Sequence, residues 1–300
     1  MTLPAVHRVA DRLATTRQRR YMRLVVIELG ATLAAAIVSQ GATFVHDRAL
    51  VFEAASAACL GLAIATQLLS RRAGWNQDWY ADRAIAETSV SASWRYVARI
   101  APFDGHEATD ESFASLLMAD IPRGSHLLSS QIASLGQGAF EPTAAIRRLR
   151  AADWQERAQR YAEQRLRDQR VWYETKARAN GRRERLFAMA TLSANLCSVV
   201  FVAFRLIDTS YNMVSVFTTL AAALLAWSST RRFHELGESY TAVGGELRDI
   251  EALLLQAEEE DDFRECAAAA EDAISAEHAV WIVRRLARHP TSARRAIRRV

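Results

Sequence analysis

The chain is nearly without lysine: Lys176 is the only one among 38 Lys and Arg side chains, set against 34 Asp and Glu. That lysine stands in no Gly-x-x-x-x-Gly-Lys-Ser/Thr loop, and the sequence has no Gly-x-Ser-x-Gly elbow and no Cys or His pairs at metal-ligand spacing. Gly136-Gln137-Gly138 is a lone fragment with no strand before it. Cysteine is scarce and isolated. Cys59 and Cys197 fall in apolar runs and Cys266 in an Ala-rich stretch, so no disulfide or metal framework follows. The histidines are scattered. His106 and His126 come near Asp110 and Asp120 only in the irregular middle of the sequence, at chance level. These absences argue against an enzyme and predict no catalytic residue, no metal and no cofactor. Proline is absent from every apolar run, which weakens a transporter built on broken helices.

What is present is four long apolar runs in two pairs. The first pair, Leu24–Phe44 and Ala49–Leu69, closes at Arg71-Arg72, and the second, Leu186–Leu206 and Tyr211–Thr230, closes at Arg231-Arg232. Each run is about the 20 residues a helix needs to cross about 30 Å of hydrocarbon. The linkers within a pair are short enough to force antiparallel hairpins. A soluble bundle is the alternative, but its apolar residues would follow a helical stripe. Here they are apolar all round, between stretches rich in Arg and Glu. The second run is the least clean, with Glu53 and Gln67 near its ends, and the fourth exits through Ser228-Ser229-Thr230. The first run is too long for a signal-peptide core, and its hairpin partner follows at once.

The expected fold is therefore an all-α membrane protein, with four transmembrane helices in two hairpins plus long cytosolic helices. The expected divisions are a first hairpin with a trailing amphipathic helix (1–105), an irregular connector (106–142), a second hairpin with leading and trailing helices (143–280) and a basic tail (281–300).

Arginine placement sets the expected orientation. Arg8, Arg12, Arg17, Arg19, Arg20 and Arg23 precede the first run, and Arg71-Arg72, Arg182-Arg183, Arg185 and Arg231-Arg232 fall on the same side. The opposite turns hold only Asp47 and Arg48, and Arg205 and Asp208. Positive-inside bias puts both termini and the middle region in the cytoplasm. The Arg-for-Lys bias with abundant alanine suggests a bacterial genome, hence a multi-pass protein of the bacterial inner membrane. No nucleic acid is expected, because the basic tail lacks interleaved aromatics. Trp75, Trp79, Tyr80 and Trp227 suit either the headgroup layer or ordinary packing.

After the fourth run Leu236, Tyr240, Val243, Leu247, Ile250 and Leu254 recur at alternating four- and three-residue steps. That heptad seam continues the membrane helix and must be covered, within the chain or between copies in a homo-oligomer. Laying Arg231-Arg232 over Arg71-Arg72 also lays Tyr240 over Tyr80. The first module then reads Tyr80, Arg83, Glu87, Val90, Trp94 and Val97, with Arg83 and Glu87 spaced to pair on one helix. Upstream of the second hairpin, Trp154, Ala158, Tyr161, Arg165, Trp172 and Lys176 lie near one face of a long polar helix. A break is predicted near Asn180-Gly181.

Two close spans followed by Trp79-Tyr80, Arg83-Ala84, Ala86-Glu87 and Trp94-Arg95-Tyr96 resemble one SLATT module. Tyr161, Asp168-Gln169, Trp172-Tyr173, Lys176-Ala177 and Asn180 before another hairpin resemble a second. SLATT proteins are two-span effectors associated with bacterial nucleotide-signalling defence systems. The resemblance implies a membrane effector that oligomerises into a pore and depolarises the cell, triggered by a nucleotide-sensing or nucleotide-synthesising partner. The alternative is a membrane-anchored scaffold or sensor whose cytosolic helices bind a partner or nucleotide. Candidate pore-lining residues are Glu28, Ser39, Gln40 and Gln67 in the first module and Ser193, Asn195 and Ser198 in the second. For Glu28 the alternatives are snorkelling to the interface and pairing with Arg72. The signature residues Trp79, Tyr80, Arg83, Glu87, Trp94, Gln169, Trp172, Tyr173 and Lys176 are expected to pack helices.

Overall fold

The computed structural model describes residues 1–105, 109–121, 124–206 and 213–286, and no strand occurs among them. Eleven α-helices follow in chain order among the described residues. They are α1 (Ala5–Phe44), α2 (Ala49–Ala73), α3 (Trp75–Ala98), α4 (Asp110–Asp120), α5 (His126–Ala133), α6 (Ala144–Ala151), α7 (Trp154–Tyr161), α8 (Arg167–Arg205), α9 (Val214–Arg231), α10 (Phe233–Leu254) and α11 (Glu260–Leu286). The protein is an all-α membrane protein.

Two compact units cut across the sequence modules. One gathers Met1–Ala14, Tyr80–Ala177 and the chain from Glu238; the other gathers Thr15–Trp79 and Arg178–Gly237. The duplication seen in sequence is thus sorted in space: apolar hairpins go to one unit, polar helices to the other.

The polar unit has a continuous core. Val6, Ala10 and Leu13 on the first turns of α1 join Trp94 and Val97 of α3, Phe113 of α4, Leu128 of α5 and Ile146 of α6. Local chemistry fixes where its short helices begin. Thr109 and Ser112 form a reciprocal capping box on α4, and Ser125, Thr143 and Asp153 cap α5, α6 and α7. The other end of α3 is closed by arginines. Arg157 Nη1 donates to the carbonyls of Val97 and Ala98 at 3.3 and 3.4 Å, and Arg150 donates to that of Tyr96. Guanidinium groups there satisfy the last carbonyls and meet the negative end of the helix dipole.

The apolar unit holds all four runs. Ser56 of α2 donates to the Ala35 carbonyl of α1 at 3.0 Å. Gln40 Nε2 of α1 donates to Ser215 Oγ of α9 at 2.9 Å. Phe217 of α9 stacks on Phe201 of α8 at 5.3 Å. The contacts thus run α2, α1, α9, α8, and small side chains (Ala31, Ala35, Ala63, Ala194, Ala221) fill the inside.

Several expectations are corrected. The break predicted near Asn180-Gly181 is absent: α8 runs unbroken through both. Asn180 is buried, and a Cβ at Gly237 would sit at ordinary contact distance, 3.8 Å, from the Asn180 Cβ and the Gly181 nitrogen, so α10 begins packed beside this stretch of α8. The interruption comes earlier, at the Asp153 cap and at a π-helical turn over Ala162–Leu166. The heptad seam does not run on from the fourth apolar run. Arg232 takes the left-handed conformation (φ 54°) between α9 and α10, as Gly74 does (φ 62°) between α2 and α3. Nor is the seam left for a second copy. Val243, Leu247, Ile250 and Leu254 are buried in the core beside Tyr161, Leu166 and Tyr173, with Tyr240 partly buried against it. Leu236 falls in the apolar unit. The connector is less irregular than expected, carrying α4, α5 and a 3-10 turn over Gln137–Ala139. His106, Asp208, Tyr211 and most of the basic tail lie outside the described residues.

Candidate functional site

Among the described residues three helical stretches are long and apolar enough to cross a membrane: Ala5–Phe44, His46–Ala73 and the third within Trp154–Arg205. The fourth run is shorter as a helix, since α9 begins only at Val214 and ends through Ser228, Ser229, Thr230 and Arg231. Only 6% of the most apolar stretch of the third is buried within the chain. Leu186, Met189, Leu192, Val199 and Phe204 stand exposed there, as do Leu50, Val51, Leu62 and Ile64 on α2. Such faces are covered only when a membrane or another chain supplies the apolar surroundings.

Inside the runs the polar side chains divide into those the fold satisfies and those it does not. Hydroxyls bond back to their own helices: Thr32 to the Glu28 carbonyl, Ser39 to that of Ala36, Thr191 to that of Phe187. Gln40 is buried and bonded to Ser215, yet its Oε1 is buried without a partner. Ser198 is half-buried and shares a 3.0 Å hydrogen bond with Thr218. Glu28 is half-buried and forms no ion pair with Arg72 or any other described residue. Gln67, Ser193 and Asn195 are exposed. The candidate pore-lining residues therefore do not share one face of a single chain: Gln40 and Ser198 face its interior and Gln67, Ser193 and Asn195 its outside.

Of the signature residues only Trp94 and Tyr173 are buried. Trp94 is buried edge-on against Tyr161 at 5.6 Å, joining the first module to the second. Arg83 pairs with Glu87 one turn on and with Asp11 of α1 at 2.9 Å. Tyr173 is buried between Trp172 (5.0 Å) and Tyr240 (5.4 Å), and Trp172 is 40% exposed with Lys176 over its ring. Gln169, Trp79 and Tyr80 are half-buried.

Sequence reading placed Tyr161 and Arg165 on one face but missed the carboxylate they meet. Glu271 of α11 is fully buried and takes both Arg165 Nε (2.7 Å) and Nη2 (2.9 Å), with the Tyr161 hydroxyl at 3.2 Å. Burial disfavours charge on Arg165, but Glu271 more than compensates and holds its proton more tightly than usual. Burial and then Glu271 push the Tyr161 hydroxyl well up. The signal was legible: Phe263, Ala267, Ala270 and Ile274 mark the inner face of α11, and Glu271 adjoins it. Asp82 was also missed; it is fully buried and accepts the Ser125 amide at 3.0 Å. Asp110, weighed earlier as a histidine partner, accepts the Tyr96 hydroxyl at 2.7 Å and pairs with Arg147. Among the described residues no group of three or more His, Cys, Asp or Glu is placed to hold a metal ion.

Comparison with known families gives two adjacent matches. Residues 4–158 match SMODS and SLOG-associating 2TM effector domain 3, and residues 161–281 match SMODS and SLOG-associating 2TM effector domain 1. No curated protein and no solved structure matches the chain.

Proposed function

Since this chain belongs to the SLATT family of two-transmembrane effectors, with two modules in tandem, we propose that it assembles into a membrane pore. Copies of the chain come together in the bacterial inner membrane, and the assembly opens when a nucleotide-sensing or nucleotide-synthesising partner engages the polar unit. All four runs span, α9 being about 27 Å long at about 1.5 Å per residue. Both termini and the polar unit lie in the cytoplasm, as the arginine asymmetry favours.

The observation that carries this reading is the apolar unit itself. Its interior is packed with alanine and its outward faces are apolar, so a single copy offers lipid contact but no water path. Conduction then requires a path between copies, where Gln67, Ser193 or a turned Glu28 supply polarity. Activation shifts a closed assembly toward an open one, so the resting protein conducts little. The test is a current recording from the purified chain in a planar bilayer, with and without its activating partner. Discrete conductance steps that change selectivity in Glu28→Gln support the reading. Partner binding with a silent bilayer favours the scaffold alternative.

A further inference from the structure

Asn195 is the polar side chain of the membrane-spanning helices whose surroundings are hardest to account for within one chain. It sits near the middle of the Leu186–Leu206 run, about 15 Å from either end at about 1.5 Å per residue. Its short side chain reaches neither headgroup layer. It is exposed and forms no hydrogen bond with any described residue. Among the described residues the runs hold two other amides. Gln40 donates to Ser215 inside the unit, though its Oε1 stays without a partner, and the longer Gln67 lies one turn from Arg71-Arg72 at the end of α2. Asn195 also cannot be quieted as the serines and threonines are, because its amide carries two donors besides an acceptor. Left in hydrocarbon it is costly, so its partner comes from outside the chain.

The surface around it indicates which partner. Leu192, Asn195, Val199 and Val202 follow three-, four- and three-residue steps along one exposed stripe of α8. This is a heptad seam with a single asparagine in it, the pattern that fixes register and stoichiometry when helices pair. An amide is its own complement, donating and accepting at once. Copies of one chain enter the membrane in the same orientation, which brings Asn195 of each to the same depth. A two-fold axis along the membrane normal then sets one against the other.

We propose that α8 of this chain pairs with α8 of a second copy within the membrane, along Leu192, Asn195, Val199 and Val202, with the two Asn195 amides hydrogen-bonded to each other. The proposal rests on the assembly reading above and names the surface by which copies meet. It assigns Asn195 to a protomer contact instead of a pore wall. Because each chain already joins its two hairpins through Gln40 and Ser215, the α8 contact links four-helix units in pairs.

The test uses the full chain in detergent and in lipid nanodiscs, reading mass and crosslinking, so it is independent of whether current flows. Asn195→Leu is expected to weaken self-association about tenfold or more, and Asn195→Gln to retain it. In a chain freed of Cys59, Cys197 and Cys266, oxidation should link Asn195→Cys into a covalent dimer. Val200→Cys, exposed on another side of α8, should link at under about a tenth of that rate. The crosslinking arm stands even if the leucine variant is poorly expressed. Wild-type mass for Asn195→Leu with altered conductance would make Asn195 a pore-wall residue and overturn the proposal. Equal crosslinking at 195 and 200 would overturn it as well.

Discussion

Arg165 grips Glu271 with both Nε and Nη2, at 2.7 and 2.9 Å, and the pair is sealed in the core of the polar unit. The π-helical turn over Ala162–Leu166 makes this possible, since its wider winding lets the neighbours Arg165 and Leu166 both point inward. Tyr161, one turn earlier, adds its hydroxyl to the same carboxylate. The pair thus ties α11 to the start of the second module's long helix.

Removing one member leaves an uncompensated buried charge. Arg165→Ala or Glu271→Ala should each destabilise the polar unit by about 3–5 kcal/mol, read by thermal or denaturant unfolding of the purified protein. Arg165→Met combined with Glu271→Leu should cost much less than the sum. A strictly additive double variant would mean that the two groups act independently.

The left-handed residues between the apolar and polar helices make opposite predictions. Gly74 pays little for φ 62°, so Gly74→Ala should cost about 1 kcal/mol. Arg232 pays the steric cost at φ 54°, offset by its pair with Glu235, so Arg232→Gly should be neutral or stabilising by up to about 1 kcal/mol. Unfolding midpoints in detergent decide this, and a large loss in Arg232→Gly would contradict it.

Gln40 and Ser215 link the two hairpins across the apolar unit. A double-mutant cycle with Gln40→Leu and Ser215→Ala should show coupling of about 0.6–2 kcal/mol, the range for hydrogen bonds between membrane helices. Zero coupling would mean that the hairpins are held by apolar packing alone.

The parts of the fold written in composition were legible, and those written in tertiary contact were not. Four apolar runs and the Arg-Arg steps announce hairpins without any structure. The Val243–Leu254 spacing likewise announces a buried stripe. What covers it is decided by distant partners such as Tyr161 and Tyr173, which spacing does not reveal. Asn180-Gly181 looked like a break because glycine is a poor helix former. Tertiary packing, with Asn180 buried and the start of α10 beside it, overrides that preference. The left-handed Arg232 gave no warning, since a non-glycine residue there carries no compositional mark. Of the candidate site, residue identities were readable but facing was not. Gln40 and Asn195 look alike in sequence, yet one is buried and donates to Ser215 inside the chain and the other is exposed.

Alkaline pH should loosen the polar unit through Tyr96. Burial first, and its bond to Asp110 second, push its hydroxyl from 10.0 up to about 12. The unfolded chain therefore loses that proton first, and the stability contribution, complete below pH 10, falls as pH rises toward 12. Tyr96→Phe should flatten this part of the stability–pH curve, with Tyr161 supplying any slope that remains. An unchanged slope in Tyr96→Phe would place the titration elsewhere.

The account's central claim is that the apolar helices act as a conducting assembly and do more than tether the polar unit. Membrane potential in bacteria expressing the activated chain tests it most directly. The comparison variant replaces all four runs with poly-Leu helices of equal length and keeps the polar unit intact. The wild-type chain should depolarise the membrane and arrest growth, and the replaced chain should do neither at equal membrane abundance. Depolarisation and arrest by the poly-Leu variant at wild-type strength would contradict the pore and leave the scaffold.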